Sequence, residues 1–358
     1  MSWQAKVVNR LLRKFVKQRH QRLGVSHDRV LASRQRGAWC ARWIIKPLRG
    51  TRIEAVESGP VRGEWVRAPA ARENRIIYFV HGGAFLIGRP ATYRYLVSRL
   101  SAEAEACVFS VDYRLAPEHP FPAALNDVCD GWRWLKRRLP RGGRIALAGD
   151  SAGGGLALSL LLDLKQRDCR LPVAFAAMSP WVDLTLSGTS VSENLERDSY
   201  LAGELLPKVI DLYLQGADPS SLRASPLFGD LAGLPPMAIH ASDTEVLRDD
   251  SLRLAQRARD QGVDVSLKLW PELPHGFQLF ARLVPEGRAA LSELGAFLKR
   301  HWRDEPPDAD AGRNPNTDSR NGCERGNSGT PPGSVRIKDG LSSCVTMENM
   351  AFSAGKAR

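Results

Sequence analysis

Ser151 lies in Gly149-Asp150-Ser151-Ala152-Gly153-Gly154-Gly155, and its flanks say what kind of serine it is. Arg144-Ile145-Ala146-Leu147-Ala148 before it is short and apolar and predicts a buried strand. Leu156-Ala157-Leu158-Ser159-Leu160-Leu161-Leu162 after it predicts a helix rich in strong helix formers. A serine between paired glycines, at a strand-to-helix turn, occupies strained backbone that aims its hydroxyl out of the sheet. A side chain at position 149 or 153 would collide with the turn. The helix N-terminus behind offers free N–H groups and a positive dipole end. Alone, the pentapeptide also fits an ordinary turn between strand and helix.

A serine hydroxyl is a weak nucleophile near neutral pH and needs a base within hydrogen-bond reach. His275, in Pro274-His275-Gly276-Phe277 after the last predicted strand, suits this: its ring titrates near neutrality and the glycine permits a short loop. His20, His27, His119, His240 and His301 lack that setting, and His240 falls inside a strand. The base in turn needs a carboxylate to hold its tautomer. Behind Ala241, Ser242-Asp243-Thr244-Glu245-Val246-Leu247-Arg248-Asp249-Asp250 offers four acids. Asp249 and Asp250 suit the start of the following helix. Asp243 and Glu245 remain, and the residues alone do not separate them. His81-Gly82-Gly83-Ala84-Phe85 follows another buried strand, where adjacent glycines let backbone N–H groups approach a ligand atom. With the N–H of Ala152, those of Gly82 and Gly83 would cradle the oxyanion of acyl transfer. His81 reads as structural.

The elements that must position these groups alternate. Arg52–Glu57 and Gly63–Arg67, around Gly59-Pro60, predict an antiparallel hairpin at a sheet edge. Strands are expected at 75–80, 107–111, 144–148, 173–178, 237–241 and 265–269, with helices near 91–105, 122–138, 156–162, 248–261 and 286–302. Such alternation makes a mostly parallel sheet, and ligands gather at its carboxyl strand ends, where all the groups above fall. Three prolines within 117–122 predict a rigid loop whose charges brace one another. Residues 184–216 break the rhythm and read as an insertion, a second part of a lid. Beyond Asp304, Asn, Gly, Ser, Pro and Asp dominate, which predicts a disordered tail over 304–358.

The formal charge of +12 over 358 residues is concentrated. Residues 1–50 hold thirteen Lys and Arg against the single acid Asp28, so the remainder is neutral. That distribution does not argue for nucleic-acid binding. Residues 1–22 read as a basic amphipathic helix. Trp3, Val7, Leu11 and Phe15 recur every four residues, with Val8, Leu12 and Val16 beside them. The favoured expectation is a lid helix whose apolar face packs on the body; peripheral contact with an anionic membrane is the second reading. The six cysteines show no metal-ligand spacing, and neither a signal peptide nor a membrane span is expected. Buried free thiols in a reducing compartment, and so a cytoplasmic location, are expected.

These residues together resemble the hormone-sensitive-lipase-like bacterial carboxylesterases of the α/β-hydrolase fold, over about residues 50–302. The further markers are Asp112-Tyr113-Arg114-Leu115-Ala116-Pro117-Glu118, Ser179-Pro180-Trp181 and Glu245-Val246-Leu247-Arg248-Asp249-Asp250-Ser251. The resemblance implies an α/β-hydrolase fold: a mostly parallel sheet of about eight strands flanked by helices, residues 1–50 as a helical lid, and a hydrolase domain over 51–303. It implies Ser151 as nucleophile, His275 as base and Gly82, Gly83 and Ala152 as oxyanion donors. The family's Asp-Pro-Leu-x-Asp pattern places its first acid on Glu245, which is taken as the triad acid with Asp243 in reserve. Ala84 stands where the family commonly has a third glycine. The expected substrate is a small-molecule ester with a short acyl chain, with no cofactor and no metal, and the chain could form a homodimer. A deacetylase or lipase on the same triad, or a receptor of this fold that binds without turnover, are the alternatives.

Overall fold

The structure, a computed structural model, describes residues 1–43 and 46–302, the side chains of 36–43 excepted. The expected tail over 304–358 lies outside the described residues.

Helix α1 (Trp3–Leu12) runs through a π turn (Arg13–Lys17) into α2 (Gln18–Leu23), and α3 (His27–Trp43) follows. The Ser2 Oγ caps α1 by accepting from the Ala5 N–H at 3.2 Å. The sheet begins with β1 (Arg52–Ser58), β2 (Val61–Arg67) and β3 (Arg72–Val80). It continues through α4 (Pro90–Ala104), β4 (Ala106–Val111), α5 (Ala123–Arg137), β5 (Arg144–Asp150), α6 (Ala152–Gln166) and β6 (Phe175–Met178). After α7 (Ser190–Glu193) and α8 (Leu206–Leu214) come β7 (Met237–Ser242), α9 (Arg248–Asp260), β8 (Val265–Trp270) and α10 (Pro285–Arg300).

The eight strands form one sheet in the order β1-β2-β4-β3-β5-β6-β7-β8. The β1–β2 hairpin is antiparallel and joins β4 antiparallel; every later pairing is parallel. The near-continuous apolar run of β3 has the cause expected of a strand covered on both faces. Ile76, Tyr78 and Val80 point into one core with α5, α6 and α9, whereas Ile77 and Phe79 point into the other with α4 and α10. A third, smaller core joins Ala5, Val8 and Leu12 of α1 to Trp270, Leu273, Phe277 and Val284.

The N-terminal helix therefore packs on the body with one stripe and leaves another in solvent. Ala5, Val8 and Leu12 are buried, but Trp3, Val7, Leu11 and Phe15 are 71, 47, 49 and 60 % exposed. In an unbroken α-helix Lys17 would sit about 140° round from Leu12 at about 100° per residue. The π turn brings it to the buried side, where its Nζ donates to the carbonyls of Leu195 and Asp198.

The proline-rich loop differs from the expected self-braced form. Arg114 pairs with Asp127 of α5, Nη2 to Oδ1 at 2.7 Å, and Glu118 pairs with Arg34 of α3 at 2.6 Å. Arg34 also donates to the Leu86 and Ala116 carbonyls, so one guanidinium ties α3 to both loops beside the site.

Candidate active site

Ser151 occupies the turn between β5 and α6 with φ +51 and ψ −123, a conformation that costs a non-glycine residue about 1–3 kcal/mol. Its surroundings enforce it. A Cβ on Gly153 would stand 2.2 Å from the Val80 carbonyl oxygen and 2.3 Å from that of His81. One on Gly149 would meet the Gly153 carbonyl oxygen at 2.6 Å. The Ser151 N–H donates to the Met178 carbonyl at 2.8 Å, and its own carbonyl accepts from Gly154 and Trp181. The elbow is thus bound to its neighbouring strand ends, and the hydroxyl faces a cavity.

The loop after β8 brings His275 to that hydroxyl, with Nε2 2.8 Å from Ser151 Oγ. On the other side of the ring, Nδ1 lies 3.5 Å from Glu245 Oε2, an ion-pair contact longer than a good hydrogen bond. The Glu245 Oε2 also accepts from Ser179 Oγ at 2.7 Å and from the Ser242 N–H at 3.3 Å. Ser179 Oγ in turn accepts from the Gly276 N–H at 3.3 Å, so one serine links the acid to the histidine loop. Burial opposes charge on the His275 ring, yet the Glu245 carboxylate, with Asp198 and Asp150 further out, holds its pKa above the usual value.

Asp243 is placed elsewhere. Its Oδ1 accepts from the Glu272 N–H at 2.7 Å and its own N–H bonds to Trp270, so it braces the end of β8. Asp249 and Asp250 stand in the first turn of α9 and accept from Ser190 and from Val182 and Asp183. His81 stacks on Tyr113 with centroids 4.2 Å apart, and burial drives its pKa down to about 4. Buried in β7, His240 is likewise lowered to about 4.

The turn after β3 runs in left-handed backbone: Gly83 has φ +114, Ala84 +55 and Phe85 +62. Gly82 has no room for a side chain, because a Cβ would lie 2.5 Å from Asp150 Oδ2. Among the described residues, none accepts from the N–H groups of Gly82, Gly83 or Ala152. Ala84 adopts its conformation without glycine's freedom. Its neighbour Phe85 helps hold it there, stacking on Tyr213 at 3.8 Å.

Two buried carboxylates at the site were not singled out by sequence. Asp150, beside Ser151, accepts from the Tyr93 hydroxyl at 2.9 Å, and burial lifts its pKa to about 6. Asp198 accepts from the N–H groups of Tyr200, Leu201 and Val246, the last adjoining Glu245. Burial raises its pKa as well. The acid in Gly149-Asp150-Ser151 was visible as a motif letter; nothing in the irregular stretch around Asp198 marked it.

Above Ser151 and His275 lies a cavity of ≈ 1780 Å³. Its walls include Leu12 and Phe15 of the N-terminal helical segment and Leu206 and Val209 of α8. Residues of the N-terminal segment and of the 184–216 stretch thus both line the cavity.

Residues 77–279 match the α/β-hydrolase fold family. The crystal structure of an esterase from the bacterial hormone-sensitive lipase family superposes with a TM-score of 0.77 at 34 % identity, covering 85 % of this chain and 99 % of that one. The chain belongs to this family. An acetyl-hydrolase of Streptomyces hygroscopicus is 40 % identical over 246 residues, 69 % of this chain and 82 % of the relative. A carboxylesterase/phospholipase of Mycobacterium tuberculosis is 34 % identical over 73 % of this chain and 72 % of its own length. Within the hormone-sensitive-lipase-like fold the eight-stranded, mostly parallel sheet and its flanking helices are as the sequence markers imply.

Proposed function

We propose that Ser151, His275 and Glu245 are the nucleophile, base and acid of this carboxylesterase, and that it cleaves esters of short acyl chains. The 2.8 Å contact between His275 Nε2 and Ser151 Oγ, with the Glu245 carboxylate behind the ring, carries the reading. Ser151 Oγ attacks the ester carbonyl carbon while His275 takes its proton. The carbonyl oxygen becomes an oxyanion held by the N–H groups of Gly82, Gly83 and Ala152, groups that have no competing acceptor among the described residues. Collapse breaks the C–O bond, and His275 protonates the departing alcohol. Water, deprotonated by His275, then attacks the acyl-enzyme and releases the acid and Ser151. A neighbour's name supports the short-chain reading: the Streptomyces relative is an acetyl-hydrolase. The cytoplasmic location is part of the same proposal, supported by the buried free thiols of Cys107 and Cys129. Among the described residues no helix is long and apolar enough to cross a membrane.

Hydrolysis of p-nitrophenyl esters from acetate to dodecanoate tests the reading. Wild type is expected to prefer the short end, and Ser151→Ala to abolish turnover with the fold intact. Undiminished turnover in Ser151→Ala would remove the serine from its role, and a maximum at dodecanoate would overturn the short-chain reading.

A further inference from the structure

The N-terminal helical segment has one more apolar face than its packing uses. Val8 and Leu12 are spent on the body, while Trp3, Val7, Leu11 and Phe15 form an outward stripe along a little over three turns. At about 100° per residue Trp3, Val7 and Leu11 span an arc of roughly 80°, with Lys6 and Arg10 along its outer border, and Phe15 and Lys14 continue the two rows in the π turn. All three cations are exposed. Residues 1–27 hold seven Lys and Arg and no acid.

We propose that this face docks on an anionic lipid surface, with Trp3, Val7, Leu11 and Phe15 entering the acyl boundary and Lys6, Arg10 and Lys14 meeting phosphates. An apolar stripe bordered by cations and rich in aromatic residues is the pattern of a helix lying in a membrane interface. Charge complementarity selects the occupant. A second copy of the chain would set the exposed Lys6, Arg10 and Lys14 against the same three cations, whereas an anionic leaflet attracts each of them. The body supports the geometry. Arg13 Nη1 donates to the Glu196 carbonyl at 2.7 Å and Asn9 Nδ2 to the Glu272 carbonyl at 2.7 Å, so the helix is clamped with its outer stripe outward.

The location matters for the enzyme. Phe15 belongs both to the exposed stripe and to the wall of the cavity over Ser151, and Leu283, 62 % exposed, lines the same cavity. Docking would therefore set the cavity's rim against the lipid. Esters dissolved in the bilayer could enter without crossing water, a consequence that rests on the esterase reading, whereas docking itself does not.

The full chain is mixed with phosphatidylcholine vesicles, with and without phosphatidylglycerol, and bound protein is measured by co-sedimentation. Binding is expected to be at least about tenfold tighter with the anionic lipid and to weaken as salt is raised. Trp3→Ser/Leu11→Ser and Lys6→Glu/Arg10→Glu are both expected to lose binding, yet to hydrolyse a soluble p-nitrophenyl ester at the wild-type rate. Equal binding to both vesicle types, no binding to either, or full binding by the variants would overturn the proposal. So would a wild-type dimer that Trp3→Ser/Leu11→Ser makes monomeric without any vesicle binding, because the stripe would then be a contact between copies. Inactivity on every ester with intact vesicle binding would count against the catalytic reading and leave docking standing.

Discussion

Glu245 and Asp243 differ by two positions, and the end of β7 sends them to different neighbours. Asp243 turns toward the end of β8 and caps the Glu272 N–H, while Glu245 folds back under the His275 ring. Glu245→Gln is therefore expected to lower kcat by roughly 10²–10⁴, and Asp243→Asn, whose amide oxygen can still accept from Glu272, to leave it nearly unchanged. The pH profile separates a positioning loss from a charge loss. In the proposed mechanism catalysis needs the neutral His275 ring, and Glu245 holds that ring's pKa up. Removing the charge lets the pKa fall, so the acid limb of kcat/KM should move to lower pH in Glu245→Gln. An unmoved limb would mean that Glu245 does not set the protonation of His275. The contact between Ser151 and His275 was legible because glycines within two residues mark each of them, a purely local signal. The acid was narrowed to two candidates by local reasoning, since which carboxylate reaches the ring depends on how the chain leaves the strand. Asp198 was invisible: its partners Tyr200, Leu201 and Val246 are brought together by tertiary structure, and its own neighbourhood has no period to read.

The strand–turn–helix unit of β5 and α6 is where local sequence and tertiary packing agree most closely. Gly153 is required less by its own backbone than by the end of β3 and the residue after it, whose carbonyls at Val80 and His81 occupy the place of a side chain. Gly153→Ala is expected to destabilise the protein by about 3 kcal/mol, the upper range for overpacking, seen as a lower urea midpoint at unchanged slope. A variant as stable as wild type would show that the elbow can shift to make room. The sheet itself was legible from apolar runs because buried parallel strands carry side chains into two cores. The ends were less so: β3 begins at Arg72, three residues before its apolar run, where its pairing with β4 is irregular. The charges of the proline-rich loop were misassigned because their partners, Arg34 and Asp127, come from helices on either side of it in the chain.

Across the whole molecule, the N-terminal helix and the irregular stretch after α7 are joined by one buried amine. Lys17 is only 2 % exposed, and its ammonium serves the carbonyls of Leu195 and Asp198. Lys17→Met should leave these acceptors unserved and cost about 1–3 kcal/mol, with faster amide exchange over residues 1–23 and 195–201. Unaltered exchange in both segments would mean that the other contacts suffice. The sequence announced a basic amphipathic helix but not its orientation, because an outward stripe and an inward stripe look alike when both are apolar.

The π turn at Arg13–Lys17 works as a phase shifter between the two halves of that helix. Upstream of it, the phase is set by Ala5, Val8 and Leu12 gripping the body; downstream, by an amine that must reach the loop carrying Asp198. Straightening the turn into an ordinary helix at unchanged length would force the two phases apart by about 100°. Either the apolar stripe would rotate away from its present face or Lys17 would swing out of its socket. The turn thus takes up one residue more than an ordinary helix would hold: deleting one residue there would leave about 40° between Leu12 and the lysine, and both ends would keep their places.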